Sequence, residues 1–261
     1  MKYTLITGAS AGMGKEMAHV CASIGRNVLL ISLPNENVEE TAKEISEKFS
    51  VKTDFFECDL TNIDTPENIY KWVIEKGNQV NFLINNAGVG HVGMFERQSF
   101  RSVNLMMDLN MKAGTNMIHY FLPELKKNAP SHLLNTSSMI ANMPLPSKAL
   151  YSSTKIYLKY LSLSLREEFS THNISVSVLQ PGATPTTEIV KFQIENGGLM
   201  SRISATSVEF VAKEAITKTL KGKSIIIPGF KNRLLLFLAN CIPWPIKRRM
   251  LRKQGKKLSH L

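Results

Sequence analysis

The sequence predicts an α/β protein in which a doubly wound parallel sheet of about seven strands carries helices on both faces, within a single domain. Short apolar or β-branched runs alternate along the chain with segments of 12 or more residues whose apolar positions have helical spacing. A glycine-rich octet, TGASAGMG, follows the first of these runs. Strands that alternate with helices form parallel sheets through right-handed crossovers, so this pattern indicates the doubly wound class.

The predicted strands are the seven apolar runs. In chain order they read YTLIT, NVLLIS, KTDFFEC, VNFLIN, SHLLNTS, ISVSVLQ and SIIIP. The first helix is predicted from about Met13 to Ile24, where apolar residues recur at helical spacing. Proline and glycine fall at the ends of the runs, and the sequence contains no internal repeat and no low-complexity linker.

Length and composition are sufficient for one large core, since the chain has 261 residues and 43% hydrophobic content. We predict a folded domain over residues 1–228 and a basic, apolar tail over residues 229–261. The three cysteines are far apart, which argues against a disulfide framework and fits a reducing compartment. The six histidines lack metal-ligand spacing, so no metal site is predicted.

Gly8, Gly12 and Gly14 lie where the first predicted strand turns into the first predicted helix. Ordering a glycine costs more backbone entropy than ordering any other residue, so three glycines in eight residues require an explanation. One explanation is an ordinary tight turn. The other is a dinucleotide site, in which backbone amides at the helix N-terminus approach a pyrophosphate. The position after the first strand of an alternating chain favours the dinucleotide site.

Tyr151 and Lys155 are four residues apart on a predicted helix, so their side chains project from one face. A nearby ammonium favours the phenolate, which would let Tyr151 act as a general acid or base. Ser138 carries a hydroxyl that can hold the substrate oxygen. A Tyr-x-x-x-Lys spacing alone is also compatible with an exposed tyrosine and a solvated lysine.

The motifs as a set resemble the short-chain dehydrogenase/reductase family. They are TGASAGMG near the N-terminus, CDL with Asp59, NNAG with Asn86, DLN with Asn110, NTSS with Ser138, YSSTK with Tyr151 and Lys155, and PGATPT from Pro181 to Thr186. They occur in the family's order over about residues 2–228. The spacing TGxxxGxG also distinguishes this turn from the GxGxxG pattern of most dinucleotide folds.

The resemblance implies a hydride-transferring oxidoreductase with four catalytic residues, Asn110, Ser138, Tyr151 and Lys155. It further implies that Lys155 binds the nicotinamide ribose, that Asn110 anchors a proton-relaying water, and that Asp59 holds the adenine amino group. The nucleotide contacts implied in this way are Gly8, Ser10, Gly12, Met13, Gly14, Ser32, Asp59, Leu60, Asn86, Ala87, Gly88, Tyr151, Lys155, Pro181, Gly182, Thr184 and Thr186. The alternative is a nucleotide-binding regulator or scaffold without catalysis.

The predicted cofactor is NADP(H), with NAD(H) as the alternative. NAD-binding proteins of this class carry an acid at the end of the second strand that binds the ribose 2′-hydroxyl. Here that position reads Ser32 and Leu33, and the first acid is Glu36. Lys15 and Arg26 are candidate partners for a 2′-phosphate, although each could equally be a solvated charge.

The segment over residues 187–204 combines apolar residues with a Gly-Gly pair and is a candidate mobile lid over a hydrophobic carbonyl or alcohol, such as an oxoacyl chain or a steroid-like ketone. An amphipathic helix packed on the core is equally compatible with it. His91, in the loop after the fourth strand, is a candidate substrate contact. A homodimer or homotetramer is expected from the resemblance.

The net charge of +11 comes from the last part of the chain, because residues 215–261 contain 12 Lys or Arg and no Asp or Glu. Its apolar and basic pattern indicates peripheral association with a membrane surface, whereas packing over the pocket or a subunit interface remains an alternative. Nucleic acid binding is not predicted, since no binding module accompanies the charge. The N-terminus shows no secretory signal and the longest apolar run is too short to cross a bilayer, so a cytoplasmic protein is expected.

Overall fold

The computed structural model describes residues 1–196 and 199–258, and the side chains at positions 189, 193, 199–200 and 254–258 lie outside this description. Within the described residues, seven strands form one parallel sheet in the order β3-β2-β1-β4-β5-β6-β7. The strands are β1 (Lys2–Thr7), β2 (Asn27–Ser32), β3 (Thr53–Glu57), β4 (Gln79–Asn85), β5 (Ser131–Thr136), β6 (Ile174–Leu179) and β7 (Ile225–Ile226).

The α-helices cover both faces of this sheet. They are α1 (Gly12–Ser23), α2 (Val38–Phe49), α3 (Thr65–Glu75), α4 (Phe100–Met107), α5 (Gly114–Lys127), α6 (Ala149–Glu168), α7 (Glu188–Asn196), α8 (Leu199–Ile203), α9 (Val208–Leu220), α10 (Phe230–Cys241) and α11 (Trp244–Leu258). Short 3-10 turns lie at Phe95–Arg97, Met139–Asn142 and Ser170–His172, and a π-helical turn at Asp108–Ala113 joins α4 to α5.

The predicted fold class is confirmed, and each of the seven predicted strands is present. The last strand is shorter than the run SIIIP, because only Ile225 and Ile226 pair with β6. This strand lies at the edge of the sheet and Pro228 follows it. Proline has no backbone N–H to donate to a ladder, so the strand cannot continue through it.

Alternation along the strands divides the core into two layers. Leu5 and Leu29 face the layer that contains α3 and α5. Ile6 and Leu30, one residue further along each strand, face the layer that contains α1, α2 and α9. Side chains of a strand point alternately to the two faces of a sheet, so these strands are apolar throughout because both faces are covered.

The order of the strands reverses at β1, which has β2 on one side and β4 on the other. In open parallel sheets a ligand crevice forms outside the carboxyl ends of the strands at such a switch point. The glycine-rich octet follows β1, and the sequence NNAG spans the end of β4. The fold therefore brings two of the motifs to one crevice.

Candidate active site

The turn after β1 requires glycine for steric reasons. Gly8 and Gly12 have φ angles of +64° and +53°, in the left-handed region that glycine adopts readily. A Cβ on Gly14 would lie 1.8 Å from the carbonyl oxygen of Gly8, so no larger residue fits there. These constraints let the start of α1 lie directly against the end of β1.

The N-terminus of α1 is suited to bind an anion. Ala11 is its N-cap and provides no side-chain acceptor for the first amides of the helix. Free N–H groups and the helix dipole together attract phosphate. The tight glycine backbone and the uncapped helix therefore fit the pyrophosphate of a dinucleotide.

Asn86 holds the carboxyl ends of β1 and β4 together. Its Nδ2 donates hydrogen bonds to the carbonyl oxygens of Thr7 (3.1 Å) and Gly8 (3.2 Å). In return, the backbone amides of Asn86 and Ala87 donate to Thr7 Oγ1 at 3.0 and 3.1 Å. Asn86 thus fixes the positions of β1 and β4 beside the crevice.

Tyr151, in the first turn of α6, lies close to the side chain of Ser138, which follows β5. Burial raises the pKa of the Tyr151 phenol, and the interaction with the Ser138 hydroxyl partly offsets this rise. The sequence led us to expect a lowered pKa. The direction is opposite here because desolvation penalises the phenolate more strongly than the neighbouring groups stabilise it.

Lys155 lies one helical turn after Tyr151 and is only 4% exposed. Its Nζ is 5.8 Å from the centre of the Tyr151 ring and donates a hydrogen bond of 3.0 Å to the carbonyl oxygen of Thr136. Burial lowers the pKa of Lys155 to about 8. Lys155 and the Tyr151 ring therefore lie on the same side of α6, as their spacing predicts.

Asn110 lies in the π-helical turn, a distortion that is frequent at functional sites. Its Oδ1 accepts a hydrogen bond from the amide of Val89 (2.8 Å), and its Nδ2 donates to the carbonyl oxygen of Val89 (2.9 Å) and to Thr154 Oγ1 (3.1 Å). A Cβ on Gly88 would lie 2.9 Å from Asn110 Oδ1 and 3.2 Å from Lys155 Nζ. Asn110, Gly88 and Lys155 are therefore immediate neighbours.

The loop after β4 crosses the tyrosine ring. A Cβ on Gly90 would lie 3.6 Å from Tyr151 Cε2, and one on Gly93 would lie 3.0 Å from His91 Nε2. His91 is half-buried in this loop. His91 as a substrate contact stays a prediction.

The loop after β6, Pro181 to Thr186, reaches the glycine-rich turn. A Cβ on Gly12 would lie 3.1 Å from the Thr186 side chain, and Thr184 is 6% exposed. The position of a Cβ on Gly182 is 2.4 Å from the carbonyl oxygen of Ser204, at the end of the candidate lid. This loop therefore lies between the nucleotide turn and the segment expected to cover the substrate.

The candidate lid forms α7 and α8. Phe192 is 60% exposed and Ile194 is half-buried. The Gly-Gly pair at 197–198 and the side chains of Ile189, Leu199 and Met200, on which the lid prediction also rests, lie outside the described residues. The described side chains leave an apolar surface on this segment.

The nucleotide-selecting region differs from expectation. Arg26 lies before β2, at the opposite end of the strand from the crevice, and donates hydrogen bonds to Thr4 Oγ1 and Asn81 Oδ1. Lys15 pairs with Glu44 at 2.9 Å. Both residues are candidate partners for a 2′-phosphate in the sequence, but both bind other protein groups in the structure. The direction of β2 places Arg26 away from the crevice, and the neighbouring helix α2 provides the carboxylate for Lys15. Spacing along the chain reveals neither arrangement.

Ser32, a predicted nucleotide contact, is only 3% exposed, and its hydroxyl donates a hydrogen bond to the carbonyl oxygen of Leu33. Asp59 is exposed after β3, where its carboxylate accepts from the amide and the hydroxyl of Thr61, while the adjacent Leu60 is buried. Asp59 thus stands at the carboxyl edge of the sheet, as its predicted contact with adenine requires.

Two residues near the site were not among the predicted site residues. Glu36, exposed in the loop after β2, accepts a hydrogen bond of 2.7 Å from Ser10 Oγ in the glycine-rich turn. The sequence signal for Glu36 is its distance past the glycines, about 20 residues, which suits a ribose-binding acid.

Lys148 has its Nζ 5.9 Å from the centre of the Tyr151 ring, and burial lowers its pKa. The feature of the sequence that could have identified Lys148 is its position three residues before Tyr151, which places the two on one side of a helix.

No group of three His, Cys, Asp or Glu residues that could hold a metal ion occurs in the part of the chain that the structure describes. The arrangement instead offers a hydroxyl pair, a buried lysine and an anion-binding turn around one crevice. These groups suit proton transfer beside a bound nucleotide.

Comparison with known proteins agrees with this arrangement. The chain is 30% identical over 184 residues to the inactive hydroxysteroid dehydrogenase-like protein 1 of Homo sapiens, covering 69% of this chain and 55% of the relative. It is 28% identical over 198 residues to very-long-chain 3-oxoacyl-CoA reductase-A of Danio rerio, covering 73% and 61%. The chain thus spans less than two thirds of the length of each of these relatives.

Among solved structures, a short-chain dehydrogenase from Sphingobium yanoikuyae in complex with NADPH superimposes with a TM-score of 0.78 at 22% identity, over 94% of this chain and 97% of that one. The family model described as short chain dehydrogenase matches residues 2–196. The matched region includes the glycine-rich turn, Ser138, Tyr151 and Lys155. The chain therefore belongs to the short-chain dehydrogenase family.

Proposed function

We propose that this protein is an NAD(P)(H)-dependent oxidoreductase that interconverts a carbonyl compound and its secondary alcohol, with Asn110, Ser138, Tyr151 and Lys155 as its active site. The observation that carries the proposal is the position of Lys155 Nζ, 5.8 Å from the centre of the Tyr151 ring, with the Ser138 side chain close to the same phenol. A phenol, a hydroxyl and an ammonium that meet at the carboxyl edge of the sheet are the groups that such a reaction needs.

The glycine-rich turn and Lys155 would hold a nicotinamide nucleotide at the crevice, and its ring would supply or accept the hydride. In reduction, the Tyr151 hydroxyl donates its proton to the substrate oxygen as negative charge develops there, and Ser138 Oγ holds that oxygen by a hydrogen bond. The raised pKa of Tyr151 keeps the phenol protonated near neutral pH, as a proton donor requires. The Lys155 ammonium stabilises the phenolate that remains. Asn110 positions the loop that crosses the tyrosine ring through two hydrogen bonds to the Val89 backbone, and a third, to Thr154 Oγ1, ties it to α6.

The proposed substrate is a hydrophobic carbonyl compound or alcohol. An oxoacyl chain and a steroid-like ketone are the two alternatives. Exposed Phe192 on the candidate lid supports this class. The names of the relatives, a very-long-chain oxoacyl-CoA reductase and a hydroxysteroid dehydrogenase-like protein, support it as well. Turnover confined to small polar sugars or amino acids would contradict it. The homo-oligomer stays a prediction.

The predicted preference for NADP(H) rests on the missing acid at the end of β2, and the NADPH-bound structural neighbour supports it. Glu36 is the specific observation that favours NAD(H), since its carboxylate lies beside the glycine-rich turn and would repel a 2′-phosphate. Glu36→Gln is expected to raise kcat/KM with NADPH relative to NADH. Glu47→Gln, an exposed position on α2, is the matched control. An unchanged ratio would show that Glu36 does not act on the nucleotide.

The alternative function is nucleotide binding without catalysis, which the name of the inactive human relative supports for that protein. Wild type and Tyr151→Phe are compared on a panel of bulky and small ketones with each nucleotide. We expect turnover by wild type and a loss of about 100-fold or more in Tyr151→Phe, since a general acid contributes about that factor. Tyr160→Phe, 60% exposed on the same helix, is the control. Nucleotide binding without turnover on any substrate would favour the alternative, and full turnover by Tyr151→Phe would refute the assigned acid.

A further inference from the structure

Helix α10 exposes a continuous apolar stripe. Phe230, Leu234, Phe237 and Leu238 are 70%, 44%, 65% and 52% exposed. Their spacing of four, three and one residues places them on one face of a helix that turns about 100° per residue. Single exposed apolar side chains are common on protein surfaces, whereas four on one stripe mark a docking face.

The opposite face of α10 is fixed to the folded domain. Asn232 and Leu236 are 2% and 7% exposed. Asn232 Nδ2 donates to the carbonyl oxygen of Pro228 at 3.0 Å and to Thr206 Oγ1 at 3.1 Å. One face of α10 therefore packs on the protein, and the apolar stripe on its other face points to solvent. The helix is part of the folded structure, although the sequence analysis assigns it to the tail.

Cations border the stripe on both sides. Lys231 and Arg233 are exposed, and helical geometry places them on either flank of the stripe. An apolar strip with basic residues on its borders is the pattern of helices that lie in a membrane interface, where lysine and arginine reach up to the headgroups.

Helix α11 adds cationic surface next to apolar side chains. Ile246 and Met250 are 54% and 51% exposed, and Arg248, Arg249 and Arg252 are exposed as well. Leu251, the neighbour of Met250 in the chain, is 6% exposed and turns toward the protein instead. Helix α11 thus also packs against the protein, because Leu251 is buried while Ile246 and Met250 stay exposed.

The charge of the region identifies the occupant of this surface. Residues 215–261 contain 12 Lys or Arg and no acid. A second copy of the chain would bring this cationic surface against an equally cationic one, which is unfavourable. An anionic bilayer offers complementary charge together with an apolar interior. No helix among the described residues is long and apolar enough to cross a bilayer, so the contact would lie along the surface.

We propose that the exposed faces of α10 and α11 form a binding surface for anionic phospholipid membranes, with Phe230 and Phe237 inserted among the acyl chains and the arginines of α11 at the headgroups. This surface does not depend on the catalytic proposal. The proposal predicts that the protein associates peripherally with anionic membranes and that this association needs both the apolar and the charged residues of the surface.

The test is flotation of the full chain with two kinds of vesicle, phosphatidylcholine alone and phosphatidylcholine with phosphatidylserine. Wild type is expected to float with the anionic vesicles only. Phe230→Ser/Phe237→Ser and, separately, Arg248→Glu/Arg249→Glu are expected to reduce the bound fraction by about tenfold. Phe100→Ser is the matched control, because Phe100 is 84% exposed on α4, and this variant is expected to float like wild type. Thermal unfolding of each variant confirms that the substitutions leave the fold intact.

Failure of wild type to float with anionic vesicles would overturn the proposal, as would flotation that either double variant leaves at the wild-type level. Sedimentation velocity on the same proteins addresses the second-copy interpretation. If Phe230→Ser/Phe237→Ser converts an oligomer to a monomer and wild type does not bind vesicles, the stripe is a subunit interface and the proposal is wrong.

Discussion

The free energy of unfolding of the wild-type protein is expected to rise from about pH 7 to about pH 10. Replacing Lys155 with methionine is expected to abolish this rise. Lys155 is 4% exposed, and burial lowers its pKa from 10.5 to about 8. Between these two values the unfolded chain holds a proton that the folded chain has released. Stability increases with pH wherever the unfolded state binds more protons, so this lysine destabilises the protein fully below pH 8 and progressively less above it.

The magnitude follows from the size of the shift. A lowering from 10.5 to about 8 corresponds to about 3 kcal/mol in the free energy of unfolding, most of which the wild type regains by about pH 10. Methionine has a similar length and no charge, so it lacks this pH dependence. It also leaves the Thr136 carbonyl without its donor, at a cost of about 1 to 3 kcal/mol that does not vary with pH.

Urea unfolding of wild type and Lys155→Met at both pH values measures the effect. The free energy of unfolding of the variant minus that of wild type should fall by about 2 kcal/mol from the lower to the higher pH. Lys213→Met, at an exposed position on α9, is the control and should show no such change. A difference between variant and wild type that is equal at the two pH values would refute the buried-ammonium argument. Turnover should be lost in Lys155→Met under both conditions.

Two further substitutions examine the site. Gly14→Ala places a Cβ 1.8 Å from the Gly8 carbonyl oxygen, so we expect a lower melting temperature and loss of nucleotide binding, measured by thermal shift with and without nucleotide. Gly114→Ala, whose Cβ would meet nothing closer than 3.7 Å, should behave like wild type, and equal stability of the two variants would contradict the steric argument. Lys148→Met removes a cation 5.9 Å from the Tyr151 ring, so the pH at which alcohol oxidation reaches half its maximum should rise by about half a unit, given about 0.5–1 kcal/mol for such a contact. Lys148→Arg should keep the wild-type profile, and an unchanged profile in Lys148→Met would exclude an electrostatic role.

The fold could be predicted almost completely from the sequence. Alternation of apolar runs with helical segments reports which faces are buried, and burial is what forms the strands and their covering helices. The short β7 departs from its run because pairing at a sheet edge ends before Pro228. Local sequence carries this kind of information, since side-chain periodicity follows directly from backbone geometry.

The glycine-rich turn and the pairing of Tyr151 with Lys155 were likewise readable from the sequence, because both depend on spacing within one turn or one helix. Only the tertiary structure decided the positions of groups whose partners are distant in the chain. Arg26 binds Asn81 at the far end of the sheet, Glu36 folds back onto Ser10, and Leu251 turns inward while Met250 stays exposed. The direction of Tyr151's pKa shift belongs here too, since desolvation depends on everything packed around the ring. Spacing along the chain determines which groups share a face, and packing between elements determines what that face meets.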